Sequence, residues 1–148
     1  KGFQEKDFAF FHPGGALGRR LLLTVEDIMR CRQANAIVGE NKKVSQVLFA
    51  ITRARAGSAI VVDKRGRLKG IFTDGDLRRH LESDKDLPNR RISEVMTKNP
   101  TVVNKEMLAA EAMRILQAKR IDEVPVVDKN MRPQGLLDVQ DLLKAGLV

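Results

Sequence analysis

The chain carries one unit twice, 65 residues apart, so any fold it adopts must be built from two copies of one substructure. Ser58 to His80 reads SAIVVDKRGRLKGIFTDGDLRRH, and Glu123 to Ala145 reads EVPVVDKNMRPQGLLDVQDLLKA. Eight of these twenty-three positions are identical, among them Val61/Val126, Asp63/Asp128, Gly70/Gly135 and Asp76/Asp141. The likeness extends upstream. Val44, Val47, Leu48 and Ile51 follow the i, i+3, i+4, i+7 spacing of an amphipathic helix, and Ala109, Ala112, Met113 and Leu116 repeat it at the same offset. Further back, Asp27-Ile28-Met29 echoes Glu94-Val95-Met96, two residues out of step.

Each copy therefore predicts the same elements. A short lead-in ends at Met29 or Met96, and a short strand follows near Ala36–Val38 or Thr101–Val103. A helix of about three turns comes next, for which Asn104 is an N-cap candidate in the second copy. The β-branched runs Ala59–Val62 and Val124–Val127 read as strands. Asp63-Lys64-Arg65-Gly66 and Asp128-Lys129-Asn130 have turn chemistry. A third strand, Leu68–Phe72 or Gly135–Leu137, leads into a final helix at Leu77 or Leu142. The fold class is α/β (α+β), two β-α-β-β-α repeats. One repeat of this length buries little core alone, so the two should pack as a pseudo-two-fold pair.

The net charge of +8 admits a nucleic-acid surface, but the chain has no Trp or Tyr and no aromatic strand on which bases could stack. Nucleic acid is therefore not expected, and an anionic metabolite suits the charge better. No apolar run reaches the ~20 residues that span a bilayer, and no signal-peptide pattern opens the chain, so no membrane is expected. The start at Lys1, without methionine, reads as a piece of a longer polypeptide. The single cysteine, Cys31, cannot form an internal disulfide, and a cytoplasmic setting is expected. Two histidines and one cysteine give no metal-ligand spacing, and Asp74-Gly75-Asp76 lacks the further oxygen ligands of a calcium loop. No P-loop or G-x-G-x-x-G is present, and no cofactor is expected.

The tandem unit, with V-V-D followed by Gly70-Ile71-Phe72-Thr73-Asp74-Gly75-Asp76, resembles the cystathionine-β-synthase (CBS) domain pair. In the first motif a strand ends, a hydroxyl follows, and a helix begins with an acid in its first turn. Backbone N–H groups and the helix dipole favour a phosphate there. Thr73 can donate to phosphate, and Asp76 can accept ribose hydroxyls. The bland alternative is that both residues only cap the helix. The resemblance implies ligand contacts at Thr73, Asp74 and Asp76, with the base lying between the repeats against Thr101, Val102, Ile121 and Asp122. In the second copy Asp138 replaces the hydroxyl and would repel phosphate, although Asp141 could hold a sugar hydroxyl. The two sites are expected to be unequal.

The opening segment differs in kind. Phe3, Phe8, Phe10 and Phe11 are four of the six phenylalanines, and they precede His12-Pro13-Gly14-Gly15-Ala16-Leu17-Gly18-Arg19-Arg20. That string resembles the end of the sugar isomerase (SIS) domain of arabinose-5-phosphate isomerases, in which a CBS pair follows directly. The resemblance implies residues 1–23 as the end of that domain with its linker, 24–82 as the first repeat and 83–148 as the second. It also implies a parent enzyme that converts ribulose 5-phosphate to arabinose 5-phosphate, on the way to the lipopolysaccharide sugar Kdo. His12 would belong to that enzyme's active site, where an imidazole can shuttle protons through an enediol. Alone, without the SIS domain, the chain is expected to have no activity. The expected function is regulatory: sensing a nucleotide or nucleotide-sugar such as AMP, ATP or CMP-Kdo. The alternative is a ligand-free module through which the parent oligomerises, with homodimers of CBS pairs inside a tetramer.

Overall fold

The computed structural model describes residues 16 to 147. After two short helices, α1 (Ala16–Leu22) and α2 (Val25–Ile28), the first repeat runs β1 (Ala36–Gly39), α3 (Val44–Ala54), β2 (Ser58–Val62), β3 (Leu68–Thr73) and α4 (Asp74–Leu81). Another short helix, α5 (Ile92–Val95), and a two-residue strand, β4 (Thr97–Lys98), lead to the second repeat. That repeat contains α6 (Ala109–Lys119), β5 (Glu123–Val127), β6 (Pro133–Asp138) and α7 (Val139–Lys144). Among the described residues, no helix is long and apolar enough to cross a membrane.

The repeat is kept in local detail. α3 and α6 both stop at an arginine in the left-handed conformation, Arg55 (φ 54°) and Arg120 (φ 55°). There the backbone N–H turns back onto the last helical carbonyls, so the chain can enter β2 or β5 within three residues. The hairpins match too. Asp63 Oδ1 accepts from the N–H groups of Arg65 and Arg67, and Asp128 Oδ1 accepts from those of Asn130 and Arg132. Each hairpin bends at a left-handed residue, Gly66 (φ 78°) and Met131 (φ 62°).

The first sheet has the order β1-β2-β3-β4, with β1 parallel to β2 and the remaining pairs antiparallel. The second sheet contains the antiparallel pair β5-β6, flanked by single bridges from Val103 to Val126 and from Arg30 to Leu136. The strand expected at Thr101–Val103 is thus reduced to one bridge. The expected cap is also displaced. Asn104 Oδ1 accepts from Met107 N at 2.9 Å, closing a turn, while α6 begins after Leu108. Four residues separate Asn104 from the first helical residue, Ala109, and its short side chain can reach only the nearest turn.

The lead-in segments are exchanged between the repeats. Val25 of α2 is fully buried with Ala112, Leu116, Val124, Leu137 and Leu142, in the core of the second repeat. Ile92 and Val95 of α5 are buried with Val47, Val61 and Phe72, in the core of the first. A third cluster, Ile60, Leu68, Ile71, Val127 and Leu136, joins the two sheets. Backbone bonds follow the same exchange: Ile92 N donates to Lys42 O at 2.7 Å, and Val25 N donates to Met107 O at 2.8 Å. This arrangement explains the repeated glycine. A Cβ on Gly70 would lie 2.5 Å from Met96 Sδ and 2.7 Å from Thr97 O. One on Gly135 would lie 2.5 Å from Arg30 O and 2.8 Å from Met29 Sδ. Each glycine gives room for the lead-in that crosses over it.

Candidate functional site

The end of β3 places the central residues. Thr73 is extended (φ −111°, ψ 171°) and caps α4. Its N–H donates to Asp76 Oδ2 at 3.0 Å, and its Oγ1 accepts from Asp76 N at 3.3 Å, a reciprocal capping box. Asp76 is 2% exposed. Its Oδ1 accepts from Thr97 Oγ1 at 2.8 Å and from the Arg79 guanidinium. Thr97 is in reach because β4 pairs with β3, with Ile71 opposite Thr97. The exchanged lead-in therefore carries a hydroxyl onto the motif acid.

Around this corner lies a cavity of about 520 Å³ between the repeats, within the ordinary range for small-molecule sites. Thr73, Asp74, Asp76 and Arg79 line one wall, Thr97, Asn99, Pro100 and Thr101 the second, and Arg120 to Glu123 the third, with Ile71 also lining it. Of the residues expected from sequence, Thr73, Asp74, Asp76, Thr101, Ile121 and Asp122 come together here. Val102 does not. It packs against the sheet-joining cluster and lines a separate cavity of about 830 Å³ with Lys105, Met107, Asp128 and Gln134. His12 lies outside the described residues.

Sequence reasoning missed Arg79, Thr97, Asn99, Arg120 and Glu123. Arg79 and Arg120 bring two cations to a cleft that also holds four carboxyl groups. Arg79 is committed to Asp76, whereas Arg120 forms no ion pair among the described residues. Glu123 is half-buried and accepts from Ser58 Oγ at 2.8 Å. Burial pushes its carboxyl above the usual range, the nearby Asp138 and Asp122 add to this, and Ser58 and Arg30 oppose it. Ser58 and Glu123 stand at equivalent positions of the two repeats. That equivalence was visible at the 65-residue offset, but nothing in it foretold that the two side chains would meet.

The corresponding corner of the second repeat is built differently. Asp138 caps α7, accepting from Gln140 N at 2.8 Å. Asp141 occupies the place of Asp76 but pairs with Arg30 Nε at 2.9 Å. Arg30 stands where the first site has Thr97. Its hydrogen bond to Asp141 is the main reason that its pKa is raised, against the opposing effect of burial. A guanidinium lies over the acid in the second corner and a small hydroxyl in the first, so the two corners are unequal.

The CBS domain family matches residues 25–83 and 92–148. The arabinose 5-phosphate isomerase KdsD of Pseudomonas aeruginosa is 46% identical over 148 residues, covering 100% of this chain and 45% of the relative. The chain thus spans less than half the length of that curated relative. Among solved structures, CBSX2 in complex with AMP is 26% identical with a TM-score of 0.71, covering 84% of this chain and 96% of that one. The CBS domain pair of protein MJ0100, in complex with 5′-methylthioadenosine and S-adenosyl-L-methionine, has a TM-score of 0.75 over 83% of this chain and 94% of that one. At 23% identity the latter likeness is one of fold.

Proposed function

The chain belongs to the CBS domain family, and from that premise we propose that it is the ligand-sensing part of an arabinose 5-phosphate isomerase. In this reading the cleft at Thr73, Asp76 and Thr97 takes a nucleotide or nucleotide-sugar, AMP, ATP or CMP-Kdo, and reports it to a catalytic SIS domain. That domain interconverts ribulose 5-phosphate and arabinose 5-phosphate in the cytoplasm. The observation that carries the reading is the cleft itself. A half-open cleft of about 520 Å³ meets a capped helix N-terminus, a cation at Arg120 and an aliphatic wall at Ile71 and Ile121. The helix N-terminus and Arg120 suit phosphate, and the aliphatic groups suit a base. The second corner, with Arg30 on Asp141, is the weaker site. The likeness to CBSX2, solved with AMP, supports the same class of ligand.

Thermal unfolding in the presence of AMP, ATP and CMP-Kdo tests this reading. A ligand at a hundred times its dissociation constant adds about 2.7 kcal/mol of stability. Arg120→Asn removes the cation and keeps a residue that tolerates the left-handed backbone, so it should reduce the stabilisation without lowering the melting temperature of the free chain. No stabilisation by any of the three would refute the sensor.

A second reading, a ligand-free module that helps the parent enzyme oligomerise, is favoured by Phe49 (68% exposed) and Ile37 (48% exposed). They line one shallow groove with Ala50 and Ala54, and burying two such side chains is worth about 3–6 kcal/mol. Sedimentation of wild type and Phe49→Lys separates the readings. A dimer lost in the variant, with no nucleotide effect on wild type, would favour oligomerisation alone.

A further inference from the structure

Glu123 opens β5 where the two repeats meet, and its two oxygens have different company. Oε2 accepts the Ser58 hydroxyl at 2.8 Å, whereas Oε1 accepts no hydrogen bond from the described residues. The carboxyl is seated over Gly57, where an added Cβ would come within 3.2 Å of Oε2. It follows Ile121 and Asp122 along one wall of the cleft, with Ile71, Pro100 and Thr101 also lining the space. The cleft thus offers aliphatic surface for a flat ring and, beside it, one fixed acceptor with a free lone pair.

We propose that Glu123 is a specificity-determining residue that selects a base with an exocyclic amino group, adenine or cytosine, over the carbonyl-bearing hypoxanthine or uracil. The inference rests on the nucleotide reading of the cleft. An exocyclic amine donates its N–H to Oε1, completing the hydrogen bonding of both groups. A carbonyl oxygen in the same place sets acceptor against acceptor and leaves both unsatisfied, a penalty that grows with burial. The charged neighbours are Asp122 on the same wall, Asp138 across the β5–β6 ladder and Arg30 from the lead-in. An amine that donates to the carboxylate relieves part of the cost that burial imposes on its charge.

Isothermal titration of the whole chain with two matched pairs, AMP with IMP and CMP with UMP, tests the proposal, because the members of each pair differ at the amino or carbonyl group and at the hydrogen on the ring nitrogen beside it, and nowhere else. Wild type should bind the amino member of at least one pair about tenfold or more tightly than its partner, and Glu123→Gln should bring that pair within about threefold. Glu123→Gln retains an acceptor for Ser58, and its melting curve checks that it is folded. Should it fold poorly, Glu123→Ala carries the same expectation. Equal binding within both pairs by wild type, or discrimination that survives in the variants, would overturn the role of Glu123 while leaving the nucleotide reading intact. No binding of any of the four at millimolar concentration would overturn the role of Glu123 in choosing the base and, if ATP and CMP-Kdo also fail to stabilise the chain, the nucleotide reading with it.

Discussion

The Asp76 carboxylate has about four lone-pair directions, and the fold occupies all of them, through Thr73 N, Thr73 Oγ1, Thr97 Oγ1 and Arg79. From sequence, capping and ligand binding were alternatives for this residue. The geometry makes capping a fact, and a sugar hydroxyl would have to displace Thr97 or Arg79. Asp76→Ala should therefore lower stability by about 3 kcal/mol in urea unfolding, since it strands charge-assisted and buried partners together. A loss below about 1 kcal/mol would mean that these bonds contribute little in solution. Glu123 gives a residue-scale test of opposite sign. Its folded pKa lies above the ordinary 4.5, so the folded state binds more protons, and stability falls as pH rises through the window from 4.5 upward. Glu123→Gln should match wild type near pH 4 and exceed it in melting temperature near pH 8. The partly buried Asp63, Asp84 and Asp128 act in the other direction. Backbone hydrogen bonds lower Asp63 and Asp128, the Arg90 side chain lowers Asp84, and their contribution is lost as pH falls below the ordinary 3.8. A variant that tracks wild type at every pH would show that Glu123 is not destabilised by burial.

At the level of elements, what was legible in the sequence is what local chemistry decides. The helical spacing from Val44 and from Ala109, the β-branched runs at Ala59 and Val124, and the Asp turns all appear where their patterns place them. What was not legible depends on a partner distant in sequence. β4 is only Thr97–Lys98 and exists because β3 offers it an edge, so no pattern of its own could announce it. The Thr101–Val103 strand shrinks to a bridge for the same reason: its apolar pattern is real, but only Val103 meets β5. The site shows the same division. Thr73 and Asp76 were readable as a motif, whereas Thr97 and Glu123 join it only through tertiary contacts. The hairpin turns allow a direct comparison, since Gly66 and Met131 hold the same left-handed bend with different residues. A side chain there costs about 1–2 kcal/mol, and the freedom of glycine in the unfolded chain returns about 0.5–1 of it. Met131→Gly should thus stabilise by about 0.5–1 kcal/mol and Gly66→Ala should destabilise by a similar amount. Two changes of the same sign in chemical denaturation would show that the two turns are not equivalent in energy.

For the molecule as a whole, the sequence repeat and the folding unit do not coincide. The repeat divides the chain before each lead-in, but packing assigns α2 to the second core and α5 to the first. Ile92 is fully buried and Val95 is 6% exposed, so a chain ending at residue 90 loses two core aliphatics worth about 3–6 kcal/mol. It also loses β4 and the bonds from Ile92 N to Lys42 O and from Val44 N to Arg90 O lose their setting. That loss is comparable with the whole stability of a small domain, about 5–15 kcal/mol. A fragment of residues 24–90, cut just before the second lead-in, should therefore be largely unfolded by circular dichroism. A fragment of residues 31–98, the same length within one residue, keeps α5 and β4 with the sheet they complete and should show more helix and greater amide protection. The intact chain should unfold in one transition, because neither core is complete without a segment from the other side of the exchange. Equal stability of the two fragments would mean that the lead-ins are appendages, and a ligand in the cleft would then have no rigid path from Thr97 to the first core. If the re-cut fragment is the stable one, a ligand that grips Thr97 and Asp76 together acts on both repeats at once, and its binding energy can bias how they are docked.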